Sequence, residues 1–342
     1  MTSRRFSIFS LCYRGVALLL WLGSLGVVIS VAGAEDSDGI AVGFNYAGKK
    51  VLYINSYHAG YAWSDGIERG IRSRFLIEDL WFKTHYMDAK RERSPEALDA
   101  AASDAIEAIE KLQPDIVIVS DDIAAKYVLE PHYKNANLPF VYCGINWDAS
   151  VYGLPFENTT GMLEINLVES LVDLLSEYAS GKRMGFLSID SLSGHRTLEH
   201  YQHVLKREFE QAYFVNTVAE WESKFIDLQQ QVDYMILENP IGIENWSEPG
   251  AKLFVNQQVR IPIGSAQAGL ASLSLITIAK IPEEQGWWAA EQALKILRGT
   301  SPADIPESKN RQGKLFANLE IAHKLGVTLS VEILQIAEII DQ

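Results

Sequence analysis

"VLYINSYHAGYAWSDGIERGIRSRF", residues Val51–Phe75, changes its periodicity half-way. Val51-Leu52-Tyr53-Ile54 is a continuous apolar run that reads as a buried strand, whereas Ile67, Ile71 and Phe75 recur at helical spacing on one face. A strand that feeds directly into an amphipathic helix is the first half of a βαβ unit. The turn between them is unusual. It holds Asn55, Ser56, Tyr57, His58, Tyr61, Trp63, Ser64 and Asp65, more rings and polar groups than a connector needs.

The same alternation continues on both sides of the next helix. Strand-like runs follow at Trp81–Tyr86, Ile116–Val119 and Phe140–Tyr142, with helices predicted over Asp65–Ile77, Pro95–Leu112 and Ile123–Tyr133. The second helix is the clearest. Ser94 stands as N-cap, Pro95 in the first turn, and Leu98, Ala102, Ala105, Ile109 and Leu112 form one stripe. A second set has strands at Gly161–Ile165, Met184–Ile189, Ala212–Val218, Tyr234–Leu237 and Ile261–Ile263, with helices at Leu167–Ala179, Thr197–Glu210, Phe225–Gln231 and Pro249–Gln258. Short apolar strands alternating with amphipathic helices predict parallel sheets covered on both faces. The expected fold class is therefore α/β, with two doubly wound parallel-sheet lobes.

The late elements, a strand at Ser272–Ile278, a helix at Glu283–Leu297 and a strand at Lys314–Leu319, are too few for a third domain. They are expected to return to the first two sheets through a multi-strand hinge. With Gly153-Leu154-Pro155 as the only break, lobe 1 is expected over 50–154 plus 272–312, and lobe 2 over 155–271 plus 313–342.

The start of the chain differs from the rest. Arg4, Arg5 and Arg14 precede an uncharged apolar run from Gly15 to Val31, then Ala32-Gly33-Ala34 and Glu35-Asp36. This order describes a cleavable secretory signal over 1–34, followed by a leader over 35–49. The alternative is a retained membrane anchor, since the run is near the lower spanning limit. No cysteine follows it, so it is not a lipoprotein-type start. The 342 residues carry a formal charge of −14. Loss of 1–34 removes three arginines and no acid, leaving 27 basic against 44 acidic residues, a net of −17. Such a surface argues against nucleic acid and against an anionic membrane as partner. Cys12 lies in the apolar start, which leaves Cys143 alone and allows no internal disulfide. An exported chain without disulfides suits a bacterial periplasm.

In open parallel sheets ligands bind at the carboxyl ends of the strands. Those ends are Ser56-Tyr57-His58, Ser120-Asp121-Asp122, Cys143-Gly144-Ile145-Asn146-Trp147, Asp190-Ser191, Glu238-Asn239-Pro240 and Ser265-Ala266-Gln267. Ser64 or Asp65 has a second reading as a plain helix cap. Catalytic motifs are not found: there is no G-x-S-x-G, no G-x-G-x-x-G and no G-x-x-x-x-G-K-[ST]. His195, His200 and His203 with Glu199 read as an exposed polar helix face in preference to a metal site. Cys143 reads as a buried small hydrophobe. No enzymatic activity, cofactor or metal is expected.

Gln113-Pro114-Asp115-Ile116-Val117, Leu138-Pro139-Phe140-Val141, Asn158-Thr159-Thr160-Gly161 and Ile261-Pro262-Ile263-Gly264-Ser265 occur in an order that resembles the ABC transporter substrate-binding protein family. So does the tail, with Ala293–Gly299, Pro302–Pro306, Ala317-Asn318-Leu319 and Ala322–Gly326. The Asn55–His58 turn with Trp63–Gly66 is similar to a branch that also supplies periplasmic parts of sensory systems. Two features depart from the family: Asn146-Trp147-Asp148 replaces its usual Asp-Pro, and the lipobox is missing. The resemblance implies a type I periplasmic-binding fold and a ligand enclosed by closure of the lobes. It also implies a periplasmic solute-binding protein serving an ABC permease or, alternatively, a sensor signalling to a membrane histidine kinase or cyclase. The expected ligand contacts are Ser56, Tyr57, His58, Tyr61, Trp63, Ser120, Asp121, Asn146 and Trp147, faced by Glu164, Asp190, Glu238 and Gln267. Rings with several acids suit an apolar or planar ligand bearing an amine, such as an aromatic amino acid.

Overall fold

The computed structural model describes residues 44–341. The expected signal over 1–34 and the first part of the leader lie outside the described residues. Among the described residues no helix is long and apolar enough to cross a membrane.

The chain enters with β1 (Lys50–Asn55), α1 (Ala62–Phe75), β2 (Trp81–Tyr86), α2 (Pro95–Leu112), β3 (Ile116–Ser120), β4 (Phe140–Asn146) and β5 (Thr159–Glu164). It continues with α3 (Val168–Ser176), β6 (Met184–Ile189), α4 (Leu192–Leu205), β7 (Gln211–Val215), α5 (Val218–Gln231), β8 (Tyr234–Leu237), α6 (Glu248–Gln258) and β9 (Ile263–Ser265). Last come β10 (Ile276–Lys280), α7 (Pro282–Leu297), β11 (Ser308–Lys309), β12 (Gly313–Asn318) and β13 (Glu338–Ile340). Lobe 1 is a parallel sheet in the order β11-β5-β4-β3-β1-β2, and lobe 2 follows β13-β12-β10-β9-β8-β6-β7. Among the described residues only the β10–β12 pairing is antiparallel. The α/β class and the two parallel-dominated sheets match the expectation from the sequence.

Local chemistry explains the elements. Ser94 Oγ accepts from Ala97 N at 3.2 Å, Pro95 opens α2, and Leu98, Ala102, Ala105 and Ile109 are its buried stripe. The central strands of lobe 1, β1, β3 and β4, are buried on both faces, which is why they read as unbroken apolar runs. Cys143 lies within β4, fully buried. Helices α1 and α7 approach closely enough that a Cβ on Gly286 would lie 1.9 Å from the Ile67 carbonyl oxygen. That contact, on the facing helix of α1, ties α7 to lobe 1.

The strands cross between lobes at places other than those expected. β5 was assigned to lobe 2 by the boundary at 154, yet it pairs with β4 in lobe 1, where Gly161 leaves room for the Tyr142 ring beside it. The break at Gly153-Leu154-Pro155 is a local turn after a short 3-10 segment, Ala149–Tyr152, and changes no sheet. β10 was assigned to lobe 1, but it lies between β9 and β12 in lobe 2. Passage to lobe 2 therefore follows Glu164, the return follows Lys280, and the third passage runs between β11 and β12. Glu164 and Lys280 thus stand where strands leave their lobes.

Candidate ligand-binding cleft

A cavity of about 1030 Å³ opens between the lobes. Its walls come from the carboxyl ends of strands in both sheets. Lobe 1 contributes Asp122, Asn146, Trp147 and Tyr152, and lobe 2 contributes Ser188, the first turn of α4, Glu238 and Gln267. Asn166 and Lys280 enter from the two passages that flank it. The volume suits a small organic molecule.

The polar groups of this wall fall into two kinds. Some are paired: Asp122 accepts from Asn146 Nδ2 at 2.8 Å and from the Tyr152 hydroxyl at 2.9 Å. Glu238, 5% exposed, accepts from the Tyr201 hydroxyl and from Gln267 Nε2 at 3.1 Å. Both of its donors are neutral side chains. Burial pushes the Glu238 carboxyl up, against the pull of those hydrogen bonds. The Tyr201 hydroxyl in turn accepts from Asn166 Nδ2 at 2.8 Å. Others have no partner among the described residues: Asn166 Oδ1, Ser188 Oγ and His200 Nε2 are buried and make no hydrogen bond there. Buried polar atoms are nearly always bonded, so three orphans around one cavity mark places where a ligand or water completes the set. His200 stacks on Trp147 at 3.9 Å between ring centres. Its pKa is lowered to about 4, first by burial and then by Lys309 and His203, so the ring is neutral at pH 7.

Of the residues singled out from the sequence, Asn146, Trp147, Glu238 and Gln267 line this cavity. Glu164 adjoins it through an ion pair with Lys280. The Lys280 ammonium lies between two indoles, 5.5 Å from the Trp63 ring centre and 5.9 Å from that of Trp147. The remaining lobe 1 residues form a separate cluster. Tyr57 and Tyr61 meet edge to face at 5.1 Å, with Lys90 Nζ within 5.0 Å of both ring centres. His58 Nδ1 lies 3.6 Å from Asp88. Ser56 Oγ donates to the Ser120 carbonyl and accepts from Ala124 N, bracing β1 against β3. Ser120 Oγ joins the Tyr53 hydroxyl at 2.7 Å and Asp121 at 3.0 Å. Asp121 is 3% exposed with φ at +67°, and burial first, then the Glu164 charge, raises its pKa. Asp65 does not cap α1 from outside; it sits in the first turn and accepts from Gly60 N. Asp190 is exposed and bonded to His195 Nε2 at 2.8 Å, outside the cavity lining.

The sequence reading passed over Ser188, Asn166, Arg196, His200 and Lys280, all in the wall. Lys280 was cut off when the strand was ended at Ile278, because a lysine after an apolar run reads as its boundary. His200 reads from the sequence as part of an exposed helix face, and Arg196 falls before the expected helix Thr197–Glu210. The helix starts two to three residues after β6, so its first turn faces the cleft; the short Asp190-Ser191 link was the available signal.

A family model described as ABC transporter substrate binding protein matches residues 51–340. The chain belongs to that family. The fold of this substrate-binding protein is found in a ligand-free, open substrate-binding protein with adhesive properties from Clostridium difficile, at 15% identity and a TM-score of 0.67. The match covers 85% of this chain and 99% of that one. An ABC domain from Streptococcus pneumonia in complex with L-Trp is similar at 19% identity and a TM-score of 0.53, again over 85% and 99%. A periplasmic ribose ABC transporter protein from Conexibacter woesei follows at 16% identity and 0.54, over 84% and 97%. Identities this low carry the fold alone, the type I periplasmic-binding fold. No curated protein matches the sequence. Membership gives this substrate-binding protein a small-molecule ligand and an ABC permease as its class of partner, and proteins of the family are normally periplasmic and non-enzymatic.

Proposed function

We propose that this protein captures an amine-bearing small molecule with an apolar or aromatic body in the periplasm and delivers it to an ABC permease. The observation that carries the reading is the acceptor-rich end of the cavity. Glu238 is a buried carboxylate held only by neutral donors, and Asn166 Oδ1 beside the same Tyr201 hydroxyl has no partner. Of the two cations in the wall, Arg196 and Lys280, the latter is already paired with Glu164. A ligand ammonium would supply the missing donor to Glu238 and Asn166, and such charge-assisted bonds are the strong ones. Trp147 offers an apolar ring face for the body of the ligand. The related fold that holds L-Trp supports an amino acid or its amine as the first class to try.

Binding performs the function without covalent chemistry. Ligand contacts made by both lobes favour a closed arrangement over an open one, and the permease reads the closed form. Isothermal titration with L-tryptophan, L-tyrosine, L-phenylalanine, their decarboxylated amines and ribose tests the reading. Saturable binding of at least one amine, and none of ribose, is expected. Binding of ribose with no amine bound would overturn it.

A further inference from the structure

Beside these acceptors the cavity also carries donors: Ser188 follows Leu187, which pairs with Leu237 just ahead of Glu238. The 14-residue helix α4 begins there, and Leu192, Ser193 and Gly194 of its first turn line the wall. Ser191 caps the helix by accepting from Gly194 N at 3.1 Å. The N–H groups of Leu192 and Ser193 have no acceptor within a helix start, and none is found for them among the described residues. Beneath this turn lies Ser188, 1% exposed, whose hydroxyl has no partner and whose side chain borders the cavity. Glycine at 194 allows that arrangement: a Cβ there would come 2.6 Å from the Ile189 carbonyl oxygen and 2.9 Å from Ser188 Oγ. Arg196 follows in the same wall, and its guanidinium makes no ion pair among the described residues. Glu199 lines the same cavity one turn further along α4, and Asp190 is bonded to His195 at 2.8 Å.

We propose that the first turn of α4, with the Ser188 hydroxyl and the Arg196 guanidinium, is the seat of a ligand carboxylate, so that the ligand is a zwitterionic amino acid and not a simple amine. Free N–H groups at a helix start form an anion site, and here a buried hydroxyl donor and an unpaired cation converge on it. Glu238 and Asn166 take the ammonium beside that seat, so neighbouring donors and acceptors of the cavity match the two adjacent charges of one amino acid. This seat replaces the helix starts near Ser56–Asp65 and Ser120–Ile123 that the sequence suggested for a carboxylate. At the first, Asp65 already occupies Gly60 N; at the second, Ser56 Oγ already occupies Ala124 N. The inference rests on the amine reading above.

The test is the ratio of two dissociation constants, that of an amine over that of its parent amino acid, in the pairs tryptamine and L-tryptophan, tyramine and L-tyrosine, and phenethylamine and L-phenylalanine. In the wild type the ratio is expected to exceed tenfold for the pair that binds. Ser188→Ala and Arg196→Gln should each bring it at least threefold closer to unity, with melting curves showing that both variants fold. A wild-type ratio near one, or variants that weaken both members of a pair equally, would overturn the carboxylate seat while leaving the amine reading standing. If no member of any pair binds, both fall together.

Discussion

The two sides of the cleft are built from similar residue types and differ in how their polar atoms are used. On the lobe 1 side, Tyr57, Tyr61 and Lys90 hold one another, Ser56 braces β3, and Asp65 closes its own turn. Asn55 Nδ2, His58 Nδ1 and Trp63 Nε1 are left without a hydrogen bond in this stretch among the described residues, but none of these residues borders the cavity. On the lobe 2 side, Ser188 Oγ and His200 Nε2 face the cavity without partners, joined by Asn166 Oδ1 from the passage between the lobes. Rings and acids at strand ends therefore do not by themselves mark a ligand. Unpaired buried atoms around a space of the right size do, because only a bound molecule or water can complete their bonding.

Lys280 and Glu164 stand between the two sides, and breaking their pair is expected to have the largest effect. With side chains 16% and 8% exposed, this is a buried ion pair at the foot of the cleft. Lys280→Met leaves Glu164 an uncompensated buried charge and should destabilise the protein by about 3–5 kcal/mol in urea unfolding. Adding Glu164→Gln should recover most of that loss. A Lys280→Met variant within about 1 kcal/mol of the wild type would show that the pair does not hold the two passages together.

The comparison itself is put at risk by affinity. Glu238→Gln is expected to weaken the identified amine ligand by about 2 kcal/mol or more, some 30-fold, since it removes one partner of a buried charge-assisted contact. Trp63→Ala and Asp121→Asn, on the other side of Lys280, should each cost less than Glu238→Gln. The reverse ranking in titration calorimetry would place the ligand against the lobe 1 rings.

How much of this was legible depends on the range of the interaction. The α/β alternation is local: Ser94, Pro95 and the Leu98–Ile109 stripe specify α2 within one segment, and the helix spans Pro95–Leu112. Sheet membership is not local. Thr159–Glu164 shows itself as a strand, but its place beside β4 depends on Gly161 meeting Tyr142, a fit that no periodicity displays. The site is less legible still. Asn146, Trp147, Glu238 and Gln267 could be found because strand ends in parallel sheets face ligands. Ser188 could not, since it reads as an interior strand residue and its distinction is a missing partner. Asp190 misled because a carboxylate at a strand end looks available until His195 is seen beside it.

The smallest expected effect concerns His200, where the two sides touch through its stack on Trp147. Its folded-state pKa is lowered to about 4, whereas an unfolded histidine titrates near 6.5. Between those values the unfolded chain binds a proton that the folded chain refuses, so stability rises with pH in that window. The contribution is complete above about pH 6.5 and is lost as pH falls towards 4. Burial is the main cause, with Lys309 and His203 adding to it, so moderate salt should weaken only the smaller part. Carboxylates also titrate towards the lower end, and the wild-type curve alone therefore does not isolate the ring. The difference between wild type and His200→Gln does: the wild type should lose more melting temperature between pH 6.5 and 5, a range above the ordinary carboxylate pKa values. If His200→Gln declines as steeply as the wild type over that interval, the ring is not held neutral by its burial in the cleft wall.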